Sequence, residues 1–213
     1  VITALRGLMV LADDAPNWKI DPIEQARAAC EGGASVVQLR AKRATDSRAL
    51  EWAAAIRAIT LEFDVGFFVN DRFDLALAAD ADGVHLGQDD LPPSRIPAAA
   101  RSRLLVGRST HSLEQAREAR AESVDYIAFG PIFATGSKVD PGDPRGGERL
   151  AEVARFVRPT PVFAIGGIDL GNVAQVIEAG AAGIAVISAV AEAADPRRAA
   201  RALAESLSER GGA

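Results

Sequence analysis

The sequence predicts an α/β fold, a single (β/α)8 TIM barrel forming one catalytic domain over residues 1–213. Three observations predict it. Apolar runs of strand length recur eight times, at 7–12, 35–39, 66–69, 83–86, 104–107, 126–129, 162–165 and 183–187. Segments with helical periodicity lie between them, and polar side chains collect where the runs end rather than where they begin.

The runs are continuous rather than alternating, as parallel strands covered on both faces require. After the first run comes Ala12-Asp13-Asp14-Ala15-Pro16. No glycine-rich dinucleotide fingerprint stands there, so an open doubly wound sheet loses its main support. Asp21-Pro22 and Asp195-Pro196 each pair a capping carboxylate with proline at the first helical position, and Gly32 and Gly180 suit helix C-terminal stops. Ala49, Ala53, Ile56, Ile59 and Phe63 form one apolar helical face beside Asp46, Glu51 and Arg57. The Gly-, Pro- and Asp-rich stretch 130–147 is the one long connection, of the kind that often serves as a lid.

Composition narrows the function. Hydrophobic residues at 48% and charged residues at 25% describe an ordinary globular chain. The net charge of −5 is dispersed, which leaves no basic footprint for nucleic acid or anionic membrane. Cys30, the one cysteine, excludes an intramolecular disulfide and a Cys-rich zinc site; on an apolar helix face it reads as packing. With two histidines in different units, zinc has little support. The early strand Leu8-Met9-Val10-Leu11, without a signal-like or membrane-spanning run, gives the expectation of a cytoplasmic protein.

Polar groups at the run ends define a candidate site. The second run ends in Gln38-Leu39-Arg40-Ala41-Lys42, the third in Asn70-Asp71-Arg72, and the fourth in His85-Leu86-Gly87-Gln88-Asp89-Asp90. Ser109 follows the fifth and Thr135-Gly136-Ser137-Lys138 the sixth. Gly166-Gly167 after the seventh and Ile187-Ser188 after the eighth, where a short helix begins, look like phosphate grips. Asp71 and Asp90 suggest Mg2+, which one or two carboxylates hold together with phosphate oxygens and water. Arg40, Lys42 and Lys138 meet the remaining charge, and one ion with three cations suits a diphosphate better than a monophosphate. Any one of these residues alone reads as a solvated cation or a turn; their coincidence at several run ends carries the argument. His85 and His111 are given no catalytic role, a buried structural role suiting the first and capping or exposure the second.

The motifs Gln38-Leu39-Arg40-Ala41-Lys42, Asn70-Asp71-Arg72, Gly83 to Asp90, Gly130-Pro131-Ile132-Phe133-Ala134-Thr135-Gly136-Ser137-Lys138 and Ala164-Ile165-Gly166-Gly167-Ile168 together resemble the thiamine phosphate synthase family. The resemblance spans nearly the whole chain. It implies a Mg2+-dependent transferase that joins 4-amino-2-methyl-5-hydroxymethylpyrimidine diphosphate to thiazole phosphate and releases pyrophosphate. By motif, Gln38, Arg40, Lys42, Asn70, Ser109 and Lys138 bind the pyrimidine diphosphate, while Asp71 and Asp90 hold the metal. Thr135, Ser137, Gly167, Ile187 and Ser188 hold the thiazole phosphate, with Leu39, Ala41 and Gly136 inside the same binding segments. Arg40, Lys42, Lys138 and Ser109 are the implied catalytic groups. Family membership also suggests self-association as a homodimer. Ser137 stands where the family usually has threonine, and Ala41 where an acidic residue is common.

Two rivals follow. Thiazole tautomerases share Gly107-Arg108-Ser109 followed by His111 and the Gly-Gly grip, but usually lack the diphosphate and metal residues that this chain carries. A non-catalytic barrel that binds thiazole or thiamine phosphate as a regulator has little need for cations and carboxylates at several run ends.

Overall fold

In a computed structural model that describes residues 5–137 and 142–210, eight parallel strands close into a barrel in chain order, the last pairing with the first. They are β1 (Gly7–Asp13), β2 (Val36–Arg40), β3 (Gly66–Asn70), β4 (Gly83–Leu86), β5 (Leu105–Thr110), β6 (Tyr126–Phe129), β7 (Val162–Ile165) and β8 (Gly183–Val186). The helices are α1 (Pro22–Glu31), α2 (Asp46–Glu62), α3 (Phe73–Ala78), α4 (Ala98–Arg101), α5 (Leu113–Ala121), α6 (Gly146–Phe156), α7 (Val173–Glu178), α8 (Ser188–Ala191) and α9 (Pro196–Arg210). The predicted fold class is the observed one. The strands differ from expectation mainly at their C-terminal ends: β1, β2, β3 and β5 run on to Asp13, Arg40, Asn70 and Thr110. Polar residues expected just after these strands are therefore their last rungs, held by ladder hydrogen bonds.

Local chemistry explains the helix ends. The Asp21 carboxylate accepts from the Glu24 N–H while the Glu24 carboxylate accepts from the Asp21 N–H, a reciprocal cap at the start of α1. Asp195 accepts from the Arg198 N–H at 2.9 Å in the same way for α9. Gly32 caps the C-terminus of α1 as expected, with the left-handed φ of +86° falling on the next residue, Gly33, and Gly180 follows α7 with a left-handed φ of +88°. Gly32 answers a packing demand, since a Cβ there would lie 2.5 Å from the Ala200 Cβ of α9. Phe63, expected on the buried face of α2, falls just past its last turn and stays partly exposed.

Alternation along each strand separates two cores. An outer layer between strands and helices holds Leu8, Val10, Val37, Leu39, Val69 and their helical partners, Cys30 among them. An inner layer fills the barrel with Met9, Leu11, Val36, Phe68, Tyr126, Ala128, Phe163, Ala185 and Ile187. The Tyr126 ring meets Phe68 and Phe163 edge-on, at centroid distances of 5.7 and 5.4 Å. These rings plug the interior, so the barrel has no open channel between its two ends. Among the described residues, no helix is long and apolar enough to cross a membrane.

Candidate active site

The β1–β4 side of the mouth is a cluster of charge. Lys42, on the loop after β2, forms an ion pair with Asp71, and the Asp90 carboxylate lies beside that of Asp71. The backbone delivers Asp71 by turning sharply out of β3. Its φ is +66°, its N–H donates to the His85 carbonyl at 2.7 Å, and the Arg72 N–H donates to the Asn70 carbonyl at 2.8 Å. Left-handed backbone is costly for a residue with a side chain, though least so for Asp and Asn, and it concentrates at functional sites. The Gly87 N–H donates to Asp90 at 2.6 Å. Asp89 is exposed, so Asp90 is the aspartate of that pair which joins the cluster. Arg72 turns away into exposed ion pairs with Asp46 and Asp74.

The two carboxylates titrate apart. Burial, reinforced by the neighbouring Asp90, holds Asp71 above the usual carboxylate range against the pull of Lys42. Burial also pushes Asp90 upward, but the hydrogen bond from Asp71, the Gly87 N–H and the charges of Lys42 and Arg108 together bring it below that range. Two neighbouring carboxylates whose charges oppose each other mark a place where a cation is favoured. Among the described residues, no group of three or more His, Cys, Asp or Glu side chains is disposed to hold a metal. Two carboxylates without nitrogen or sulfur ligands fit Mg2+, which completes its shell with water and phosphate oxygens.

Arg40 closes this side against Asp13 at the end of β1, its cross-strand neighbour in the ladder. Gln38 lies deeper on the same face of β2. Its amide N–H is directed at the Met9 sulfur, 3.4 Å away, and its Oε1 is buried with no partner among the described residues. Asn70 is the partly buried last residue of β3. Two residues of the Gln38–Lys42 motif do not face the mouth: the Leu39 and Ala41 side chains pack into the outer layer, so only their backbone is available to a ligand. Their parity along β2 is opposite to that of Gln38 and Arg40.

The β5–β8 side is a neutral, hydroxyl-lined pocket. Ser109, Thr135, Ser137, Gly167, Ile187 and Ser188 all border it. The Ser137 hydroxyl donates to Ser188 at 3.2 Å and the Ser137 N–H to the Thr135 hydroxyl at 3.3 Å, tying the loop after β6 to the start of α8. Gly166 and Gly167 have positive φ of +100° and +65°. A Cβ on either would strike the preceding loop, 2.5 Å from the Pro131 Cβ and 2.4 Å from the Ala134 carbonyl oxygen. The pair is needed to dock that loop, in addition to any approach to an anion. Gly136 is exposed with no neighbour near its Cβ position. Lys138 lies outside the described residues.

Both histidines are hydrogen-bonded in place. His85 joins the Tyr126 hydroxyl at 2.7 Å to the Ser109 hydroxyl at 2.8 Å, so Ser109 links the pocket to the barrel interior. His111 is not a helix cap; Ser112 fills that role for α5. Its Nδ1 donates to the Gly130 carbonyl at 2.6 Å on the pocket wall. Asp13, Arg108 and Tyr126 escaped the sequence reading. Asp13 carried a signal, a carboxylate ending the first run, while the partners of Arg108 and Tyr126 depend on strand register.

Comparison with known proteins places this geometry in context. The family described as thiamine monophosphate synthase matches residues 8–190. The thiamine-phosphate synthase of Anaeromyxobacter dehalogenans is 52% identical over 199 residues, covering 92% of this chain and 85% of that protein. The thiamine-phosphate synthase of Thermus thermophilus is 45% identical over 207 residues, covering 95% and 98%. Among solved structures, thiamine phosphate pyrophosphorylase from Pyrococcus furiosus superposes with a TM-score of 0.86 at 39% identity, covering 97% of each chain.

Proposed function

The chain belongs to the thiamine monophosphate synthase family, and from that premise we propose that it is a Mg2+-dependent transferase coupling 4-amino-2-methyl-5-hydroxymethylpyrimidine diphosphate to thiazole phosphate. The products are thiamine phosphate and pyrophosphate. The observation that carries this reading is the division of one barrel mouth into a carboxylate–lysine cluster and a hydroxyl-lined pocket. The first suits a departing diphosphate and the second a phosphate that stays.

In this reading the bond between the pyrimidine methylene and the diphosphate oxygen breaks, with the electron pair leaving on oxygen. The thiazole nitrogen then supplies the pair for the new carbon–nitrogen bond. Arg40, Lys42 and Lys138 bind the diphosphate and stabilise its growing charge, which is the main catalytic demand of a dissociative step. Asp71 and Asp90 would hold Mg2+, which would supply charge neutralisation to the phosphate oxygens. Gln38 offers its buried Oε1 to a donor on the pyrimidine, and Asn70 and Ser109 complete that side. Thr135, Ser137, Gly167, Ile187 and Ser188 receive the thiazole phosphate. The site's poverty in acid–base pairs suits a reaction that moves little proton.

The test is to mix both substrates with the full chain and follow pyrophosphate release with and without a chelator. Release that requires both substrates and stops with chelation is the expected result. Binding without release would support the regulator, and thiazole tautomerisation lost only in His111→Ala would support the tautomerase.

A further inference from the structure

Resting on that reading, we propose that Asp13 is a positioning residue for the diphosphate site, acting by holding the Arg40 guanidinium in place. Asp13 is buried at the mouth end of β1. One carboxylate oxygen accepts from the Ala15 N–H at 3.0 Å and from the Trp18 indole N–H, and the other accepts from Nη1 of Arg40. Its backbone is fixed as firmly. The Asp13 N–H donates to Gln25 Oε1 at 3.0 Å, and Gln25 Nε2 donates back to the Asp13 carbonyl at 2.9 Å. Two donors therefore set this carboxylate, and Gln25 its backbone, before Arg40 is added.

Stability alone does not call for such a group. A buried ion pair roughly balances its own desolvation, and well-packed apolar residues often do as well. What the pair provides is direction. A guanidinium has five N–H donors, and among the described residues Arg40 is hydrogen-bonded to Asp13 through one nitrogen, leaving the other donors for a ligand. An arginine fixed before the substrate arrives loses less freedom on binding and needs less rearrangement as charge develops. Asp14 does for the backbone what Asp13 does for the side chain. Its carboxylate accepts from the N–H groups of Lys42, Arg43 and Ala44 at 3.0, 2.8 and 2.8 Å, fixing the loop that carries Lys42. The end of β1 thus contributes no group of its own to the ligand and organises the cations of β2.

The experiment is steady-state kinetics of the full chain, varying each substrate in turn. Asp13→Asn is expected to raise KM for the pyrimidine diphosphate by about tenfold and to lower kcat. KM for thiazole phosphate should stay within about twofold. In an Arg40→Gln background the same change should add nothing, because its effect passes through Arg40. Trp18→Phe, which removes one donor from a partly exposed residue, should shift the same KM in the same direction by less; it also serves if Asp13→Asn fails to fold. Equal shifts in both KM values, multiplicative effects of Asp13→Asn and Arg40→Gln, or a folded Trp18→Phe with unchanged diphosphate KM would overturn the inference. A wild-type chain that releases no pyrophosphate would instead overturn the reading of the reaction.

Discussion

The ring of Tyr126 on β6 occupies the space that a Cβ on Gly107 of β5 would fill, its nearest atom lying 2.1 Å from that position. Gly83 makes the same room for Phe68, and Gly183 for Phe163. Aromatic rings can plug this barrel because neighbouring strands give up side chains at those rungs. Gly107→Ala should force the ring off its rotamer and destabilise the fold by about 1–3 kcal/mol. Thermal unfolding checks it, with roughly 2–4 °C lost per kcal/mol at this chain length. An unchanged midpoint would mean that the interior is looser than described.

Tyr126 also holds the imidazole of His85 at the barrel mouth. Burial pushes its phenol well above the usual tyrosine range, and its hydrogen-bond partner is Nδ1 of His85. A protonated phenol can donate to Nδ1 or accept from it; with the imidazole proton on Nε2 the phenol donates to Nδ1 and Nε2 donates to the Ser109 oxygen, which leaves the Ser109 proton for the pocket. Nitrogen NMR of the imidazole should report the Nε2–H tautomer in the wild type. Tyr126→Phe should cost about 1–3 kcal/mol as His85 loses a buried partner. A wild-type ring protonated on Nδ1 would contradict the chain of donors.

Cys30 offers a test of the outer core. Burial pushes its thiol up to about 12, so at around pH 8 the reactive thiolate is scarce as well as inaccessible. A thiol reagent should leave the native chain unlabelled and modify one residue in denaturant. Because the folded value is raised, the contribution to stability is complete below the ordinary thiol pKa and fades as pH rises toward about 12. Rapid labelling of the native chain would show that α1 opens.

How much of this was legible in the sequence depends on whether a feature is local. The switch from apolar run to polar residues marks each strand's mouth end, which is how Arg40, Lys42, Asp71, Asp90 and Ser109 were found. The direction of each side chain is set by strand parity at the end of the ladder, and motif membership does not carry it: Leu39 and Ala41 belong to the motif yet face the helices. The pairing of Asp13 with Arg40 requires the β1–β2 register, and the Tyr126–His85–Ser109 chain requires three strands at once. Gly166-Gly167 shows the converse, since a local reading finds an anion cradle where the fold also needs room for the 131–134 loop.

The carboxylate pair makes the sharpest demand, because stability and activity should move in opposite directions. Asp71 carries a left-handed φ of +66° and is held above the usual carboxylate range by burial and by the neighbouring Asp90, so a bound cation would add to the relief that Lys42 already gives. Asn tolerates left-handed backbone and still hydrogen-bonds, so Asp71→Asn keeps the turn while removing the charge. Without metal the variant should melt at or above the wild-type temperature, as expected where function is bought with strain. Its coupling rate should fall by about 100-fold or more, and the Mg2+ concentration for half-maximal rate should rise. Lys42→Ala should lose coupling to a similar degree with its fold intact by circular dichroism, because the diphosphate loses a cation. Full Mg2+-dependent turnover in either variant, or an Asp71→Asn chain that is merely less stable, would remove the reason for placing metal and diphosphate on this side of the mouth.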